Sequence, residues 1–415
     1  MKNNRAIIIG AGASGMMAAI SASQEGRQVV LLEKMDQAGR KLRITGKGRC
    51  NLTNMAPLKE FLSHIGSDSR FLRNSFARFF NQELFEFFEE RGVPLVTERG
   101  DRVFPKSGKS LDIFLSLIQE IEGSPNITFL KNTGAKCLII EDGIIKGVVL
   151  QNGEELLSST VIVATGGQSY PSTGSTGIGY RLAQEAGHTV VKPVPSLVAL
   201  RCIETLPKET LTLTLRNVEL TIIDESHKTI CTHFGELQFF EHGISGPIAL
   251  SASRHTSRLL HEGQTLQAHI DLKPAISKET LDKRIIADLN SNGTRIFNDA
   301  LRMWIPAELV TLALQRLHIE YYKRLNQING AERKRIVAFL KDLTLTLNGT
   351  KDYNEAIVTQ GGVALNEINP KTMESKIIKG LFFVGEVLDL DADTGGYNLQ
   401  IAFSTGYIAG KSIGD

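Results

Sequence analysis

Six residues, Gly10-Ala11-Gly12-Ala13-Ser14-Gly15, follow the spacing G-x-G-x-x-G. In such a loop the glycines permit a tight turn and let backbone N–H groups approach a pyrophosphate, whose charge the following helix N-terminus favours. Glu33 stands 18 residues beyond Gly15, where a carboxylate can accept hydrogen bonds from ribose hydroxyls, and its charge disfavours a 2′-phosphate. Lys34 is grouped with it. Further on, Gly39-Arg40-Lys41 and Thr45-Gly46-Lys47-Gly48-Arg49-Cys50-Asn51 form a glycine-spaced loop. Arg40, Lys41, Lys47 and Arg49 are expected there to neutralise a pyrophosphate or substrate phosphate, the alternative being a solvated basic loop. Three side chains are candidates for proton transfer. Cys50 sits among cations that should lower its pKa and favour thiolate, and its other reading is a small buried packing residue. Tyr397 either donates a proton or packs on a ring. His242, flanked by Gly243, reads more simply as a polar surface residue.

The elements that must position these groups can be read from periodicity. Arg5 to Ile9 is an apolar strand, Ser14 to about Glu25 an alanine-rich helix, and Gln28 to Leu32 a second strand, which makes one βαβ unit. Phe76, Phe79, Phe80, Phe85, Phe87 and Phe88 predict packed helices between Lys59 and Glu90, ended by Gly92 and Pro94. Ile127 to Val163 predicts a three-stranded meander with turns at Glu141-Asp142-Gly143 and Gln151-Asn152-Gly153, closing on Val161-Ile162-Val163-Ala164. Ala135, at the start of that meander, is counted with the nucleotide site. From Pro195 to Leu272 short β segments, Thr210 to Leu215, Leu220 to Ile223 and Leu266 to Leu272, predict a small barrel or sandwich, and 278–345 reads as helices. Gly380 to Gly385 is a buried strand, and Leu399 to Gly410 a small-residue helix.

The βαβ unit alone serves NAD and FAD equally, because both carry adenosine diphosphate. Two later segments favour FAD. The apolar strand Val161 to Ala164 ends in Thr165-Gly166-Gly167, and it resembles the segment that returns the chain beneath the cofactor in two-dinucleotide flavoproteins. Gly385-Glu386 ends a strand, and Thr394-Gly395-Gly396-Tyr397-Asn398-Leu399-Gln400 opens a helix whose N–H groups can face a flavin pyrimidine and stabilise negative charge at N1/O2. In this order the segments resemble the FAD-binding fold of glutathione-reductase-like flavoproteins, where Asp usually stands at the position of Glu386 and meets the ribityl chain. Gly39-Arg40-Lys41, Gly48 to Asn54, Ala164 to Gly167, Gly385-Glu386 and Thr394 to Asn398 further resemble the BaiN/RdsA-type family of bacterial FAD-dependent oxidoreductases across nearly the whole chain. One departure is Phe240-Glu241, where many of those proteins have Thr-His.

That resemblance implies an α/β fold: a Rossmann-like FAD-binding domain of the two-dinucleotide-binding flavoprotein type, with an inserted β-barrel-like plus helical domain. The expected division is a discontinuous FAD domain of residues 1–194 and 356–415, a β-rich insert 195–275 and a helical insert 276–355. It also implies reduction of an enone-type C=C by hydride from flavin N5, with uridine to dihydrouridine in 23S rRNA as the first substrate and small enones such as steroid or bile acids as the alternative. A non-catalytic flavin module is the reading of another class. No second strand, G-x-G-x-x-G and helix follows, since Gly174 to Gly179 lacks a preceding strand, so NAD(P)H is expected only as a transient electron donor.

Composition sets the outer bounds. A chain of 415 residues predicts more than one core. With 47 basic against 45 acidic residues there is no global field, so an rRNA partner would need a local patch. Arg316, His318, Lys323, Arg324, Arg333, Lys334 and Arg335, interleaved with Tyr321 and Tyr322, are the one candidate, and a solvated helix face is its plainer reading. Cys50, Cys137, Cys202 and Cys231 form no CxxC pair, so neither a metal site nor a disulfide framework is expected. No run is long enough to span a membrane, and the expected location is cytoplasmic.

Overall fold

The computed structural model describes residues 5–66 and 68–413. The chain divides into two compact units, residues 1–195 with 357–415, and residues 196–356. Each encloses its own apolar cluster.

The first unit is built on a five-stranded parallel sheet. β1 (Arg5–Ile9) lies at its centre, with β2 (Gln28–Leu32) and then Ile127–Leu130 on one side, and Val161–Val163 and then Leu381–Phe383 on the other. The inner strands are unbroken apolar runs because helices cover both faces of such a sheet. Ile7, Ile8, Val161 and Phe383 are wholly buried. The chain leaves β1 for β2 on one side and returns later to Val161 on the other. This places a topological switch point at the carboxyl end of β1, where open α/β sheets bind ligands.

Helix α1 (Ala13–Gln24) packs against the C-terminal helix Tyr397–Lys411 at a distance only small residues allow. A Cβ on Gly406 would lie 2.2 Å from Ser14 O, and one on Gly410 would lie 1.9 Å from Ser21 Oγ. Ser21 Oγ instead donates across the contact to Tyr407 O at 3.1 Å. Around this core stand the antiparallel meander Ala135–Glu141, Ile144–Leu150 and Glu155–Leu157, and a small sheet of Thr53–Asn54, Leu95–Glu98 and Arg102–Pro105.

The second unit contains a closed barrel in the order Leu200–Cys202, Gly243–Ser245, Thr229–Phe240, Thr214–Ile223, Leu266–Asp271 and Leu343–Thr350. The expected split into a β-rich and a helical insert is not how this unit is built. Leu343–Thr350, from beyond the helical stretch, pairs with both Leu266–Asp271 and Leu200–Cys202 and closes the barrel, which removes both free edges. Helix Pro247–His261, conversely, lies within the β-rich stretch. The expected strand over Thr210 to Leu215 is instead a 3₁₀ turn, Lys208–Thr212, leading into the long strand Thr214–Ile223.

Candidate cofactor and active site

The glycine loop turns directly off β1. Gly10 has φ +105°, and a Cβ there would lie 2.6 Å from Ala164 O, so the turn crosses the return strand at backbone distance. A Cβ on Gly15 would lie 1.8 Å from Gly10 O, so α1 can start only with glycine at this position. Gly12 has nothing within 4 Å of such an atom and faces open space. It caps α1 without a side-chain hydrogen bond, and the first turn, Ala13 and Ser14 included, holds no acidic residue. The donors of that turn are therefore left for an anion. Glu33 accepts from Ala11 N–H at 3.0 Å and from Met35 N–H at 2.9 Å. Burial raises its pKa against the pull of those two bonds. Lys34 donates to Thr176 Oγ1 at 2.7 Å, and burial lowers its pKa.

The cations of the basic loop do not converge on one point. Arg40 pairs with Asp36 at 3.6 Å on the surface, and Arg49 lies 4.2 Å over the Phe104 ring and pairs with Glu98. Lys41 turns inward to Glu386 at 2.7 Å and to Ser169 Oγ at 2.6 Å. Lys47 is exposed and has no ion pair among the described residues. Gly39, Gly46 and Gly48, all with positive φ, bend the segment, and Lys47 shares the left-handed conformation. The shared anion site expected of four cations is thus reduced, because three already have carboxylate partners.

Glu386 gathers three segments. Its Oε1 accepts from Lys41 at 3.0 Å, Ser169 Oγ at 2.9 Å and Thr359 N–H at 2.9 Å, while Oε2 accepts from Lys41. Gly385 has φ +73°, its Cβ would meet Ser14 Oγ at 2.5 Å, and its N–H donates to Thr405 Oγ1. Ala164 is buried, Gly166 lies beside Ser175 and Glu386, and Gly167 packs on Thr359. Thr165 Oγ1 is buried without a hydrogen-bond partner.

The start of the C-terminal helix is clamped from the Asn51–Asn54 side. Gly396, at φ +102°, caps it without a side-chain bond, and a Cβ there would lie 2.3 Å from Thr53 O. The Asn51 amide donates to Thr53 O at 3.2 Å and accepts from Gly396 N–H at 3.1 Å. Asn54 donates to Gly395 O, the Thr53 hydroxyl donates to Gln400, and Asn398 spans Ala392 with both ends of its amide. Leu399 packs against the core. Ala135 is buried at the start of its strand.

Of the three candidates for proton transfer, Cys50 and Tyr397 are sealed. Cys50 is fully buried, and burial pushes its thiol up to about 12, opposed by a hydrogen bond with Thr45. The expected cationic depression is therefore reversed: Arg49 turns to Phe104 and Glu98, and desolvation governs the thiol. Tyr397 is 5% exposed, and burial, with Asp393 nearby, raises its hydroxyl to about 12. Its ring stacks on His64 at 4.5 Å and meets Phe61 edge-on at 4.7 Å. His242 lies exposed at a barrel turn in the second unit, its carbonyl accepting from Cys202 N–H. His64, which no motif marks, holds Asp393 through Nδ1 at 2.9 Å.

In the second unit much of the basic stretch is internally paired: Arg316 with Glu204, Lys323 with Glu332 and Arg333 with Asp282. Arg335 donates to His318 O. Arg324 and Lys334 remain exposed, as do Tyr321 and Tyr322, whose rings meet at 4.7 Å. Among the described residues no helix is long and apolar enough to cross a membrane.

Two helix N-termini without side-chain caps and an open face at Gly12 fit a dinucleotide with anionic phosphates and a ring that gains negative charge on reduction. The HI0933-like protein Rossmann domain matches residues 4–412. The chain belongs to this family. It is an FAD-dependent oxidoreductase with a Rossmann-like FAD-binding domain. The 3-dehydro-bile acid delta(4,6)-reductase of Clostridium scindens is 31% identical over 99% of each chain. The ribosomal RNA dihydrouridine synthase of Escherichia coli is 30% identical over 100% of this chain and 98% of its own. Among solved structures, a quinol-fumarate reductase with menaquinol shares the fold at TM-score 0.51 and 15% identity, over 99% of this chain and 71% of that one.

Proposed function

We propose that the protein saturates a carbon–carbon double bond conjugated to a carbonyl, and that its substrate is uridine in large-subunit ribosomal RNA. The observation that carries the reaction class is full-length similarity to two enzymes whose named reactions share that chemistry: a ring reductase of a 3-oxo bile acid, and an enzyme that turns uridine into dihydrouridine. FAD, when bound, supplies the hydride. Gly10 to Gly15 and the first turn of α1 hold its pyrophosphate, Glu33 takes ribose hydroxyls, and the free N–H groups of Tyr397 to Leu399 stabilise negative charge on the pyrimidine side. NAD(P)H serves as a transient donor, in keeping with the single G-x-G-x-x-G unit.

The RNA reading is supported by the exposed Tyr321 and Tyr322 and by the exposed Arg324, Lys334 and Arg335 of the same unit, which offer surfaces for base stacking and phosphate contact. A target uridine must leave its stack to be reduced. Anaerobic protein reduced with NAD(P)H and mixed with an rRNA transcript or a steroid enone tests both substrates through flavin reoxidation. Reoxidation by RNA with appearance of dihydrouridine supports the first, and reoxidation by the steroid alone transfers the assignment to a small enone. If neither reoxidises the flavin while oxygen does so quickly, the reductase reading is lost.

A further inference from the structure

Saturating an enone needs a proton at the α carbon as well as a hydride at the β carbon; Cys50 and Tyr397 are shut away from solvent, and His242 lies exposed on a barrel turn of the second unit. We propose that His64, oriented by Asp393, is the residue that donates this proton, an assignment that rests on the enone reading above.

Four observations converge on His64. Its Nδ1 meets Asp393 Oδ2 at 2.9 Å, and the backbone returns the contact, Asp393 N–H donating to His64 O at 2.9 Å. The segment is pinned beside the loop that precedes the C-terminal helix, for Ile65 bridges Ala392 antiparallel and Gly66 N–H donates to Asp391 O. That loop is tied in turn to the first helical turn, where the Asn398 amide accepts from Ala392 N–H and donates to the carbonyls of Ala392 and Asp393. The imidazole lies flat on Tyr397, at 4.5 Å and 19°, and Tyr397 is the first residue of that uncapped helix. His64 is thereby fixed beside the helix end assigned to the flavin.

With Nδ1 engaged by the carboxylate, Nε2 is the nitrogen that acts, and the side chain is 35% exposed, so solvent can restore its proton. The balance is simple. Hydride from the reduced cofactor forms the C–H bond at the β carbon, and the displaced π pair moves to the carbonyl oxygen as an enolate. The enolate α carbon then takes the proton from Nε2 of the doubly protonated ring, leaving neutral imidazole. Asp393 balances the ring's charge before the transfer and fixes its tautomer after it. NAD(P)H restores the two electrons.

His64→Phe keeps a flat ring on Tyr397 and removes the proton, and His64→Gln removes the ring. In both variants NAD(P)H should reduce the flavin at the wild-type rate, while reoxidation by the substrate the wild type accepts should fall about 100- to 10,000-fold, the range of a lost general acid. Free imidazole should restore part of the rate in His64→Phe. Asp393→Asn should lower kcat with KM nearly unchanged. Independently of turnover, ¹⁵N spectra of the FAD-loaded protein should show His64 protonated at Nδ1. Undiminished reoxidation in His64→Phe, or an unprotonated Nδ1, overturns the assignment while leaving the reductase reading intact. A wild-type protein reoxidised by neither RNA nor steroid enone removes that reading, and His64 as donor with it.

Discussion

Adding one methyl group at Gly406 tests whether the contact between α1 and the C-terminal helix sets the geometry of the cofactor site. The Cβ of Gly406→Ala would lie 2.2 Å from Ser14 O, and its next neighbours, Ser14 C and Cα, are also backbone atoms. No side chain can rotate away. Carbon and carbonyl oxygen rarely approach within about 3.3 Å, so the helices must part by roughly 1 Å. Overpacking of this kind costs about 1–3 kcal/mol. For a unit of this size that lowers Tm by several degrees, at about 2–4 °C per kcal/mol. The displaced atom belongs to the first turn of α1, one residue before Gly15, so the loss should reach the pyrophosphate donors. FAD affinity should fall by about tenfold for each 1.4 kcal/mol not absorbed elsewhere. The assay is thermal unfolding with and without FAD, together with a fluorescence titration of FAD into apoprotein. Gly123→Ala is the control: its Cβ would meet nothing within 4 Å, and it should leave both measurements unchanged or add about 0.5 kcal/mol. If Gly406→Ala melts within about a degree of wild type and binds FAD equally well, the contact does not govern the site.

Cys50→Ala should retain turnover and lose about 1–2 kcal/mol of stability, and alkylation mapped by mass spectrometry at pH 8 should spare Cys50 until the protein unfolds, since burial holds its thiol near 12. Glu386→Gln leaves Lys41 without its counterion in a setting only about one-fifth exposed, and the expected result is an FAD Kd raised about tenfold, read by the same titration. His188 is buried between Ser375 Oγ at 2.8 Å and Glu367 at 3.1 Å, and burial lowers its pKa despite that carboxylate. The unfolded chain therefore binds the proton first, so stability falls as pH drops below the ordinary histidine value of about 6.5 and continues to fall until the folded-state pKa is reached. Urea melts between pH 8 and 5 should show a shallower decline in His188→Asn than in wild type, and equal slopes would exclude His188 as a source of acid sensitivity.

What the sequence makes legible is local. β1, the glycine loop and α1 can be read because a five-residue apolar strand, a turn that only glycine makes and a helical repeat follow one another directly. The same holds for the meander from Ala135, whose turns carry Asp142-Gly143 and Asn152-Gly153. Closure of the barrel is hidden because it is a matter of pairing: Leu343–Thr350 alternates Leu and Thr as a strand does, but the two edges it meets, Leu266–Asp271 and Leu200–Cys202, lie far back in the chain beyond a helical stretch. The thiol of Cys50 is misread for a related reason. Cations adjacent in sequence need not be adjacent in space, and Arg49 spends its charge on Glu98. His64 escapes notice because its partner lies 329 residues away and neither residue belongs to a repeated spacing.

Two carboxylates mark the ends of the site and do different work. Glu33 accepts the backbone N–H groups of Ala11 and Met35, and a carboxylate offers about four acceptor positions, so its capacity is only partly used. Glu386 is spent almost completely on Lys41, Ser169 and Thr359. An aspartate in its place would end one methylene sooner and could not keep all three partners without moving the backbone of Gly385, which Ser14 already confines. The longer acid thus serves as a cross-link that draws the basic loop, the return strand and Val358–Val363 around one point. It fixes where Lys41 stands, and the neighbouring Gly385 packs against Ser14 in the first turn of α1.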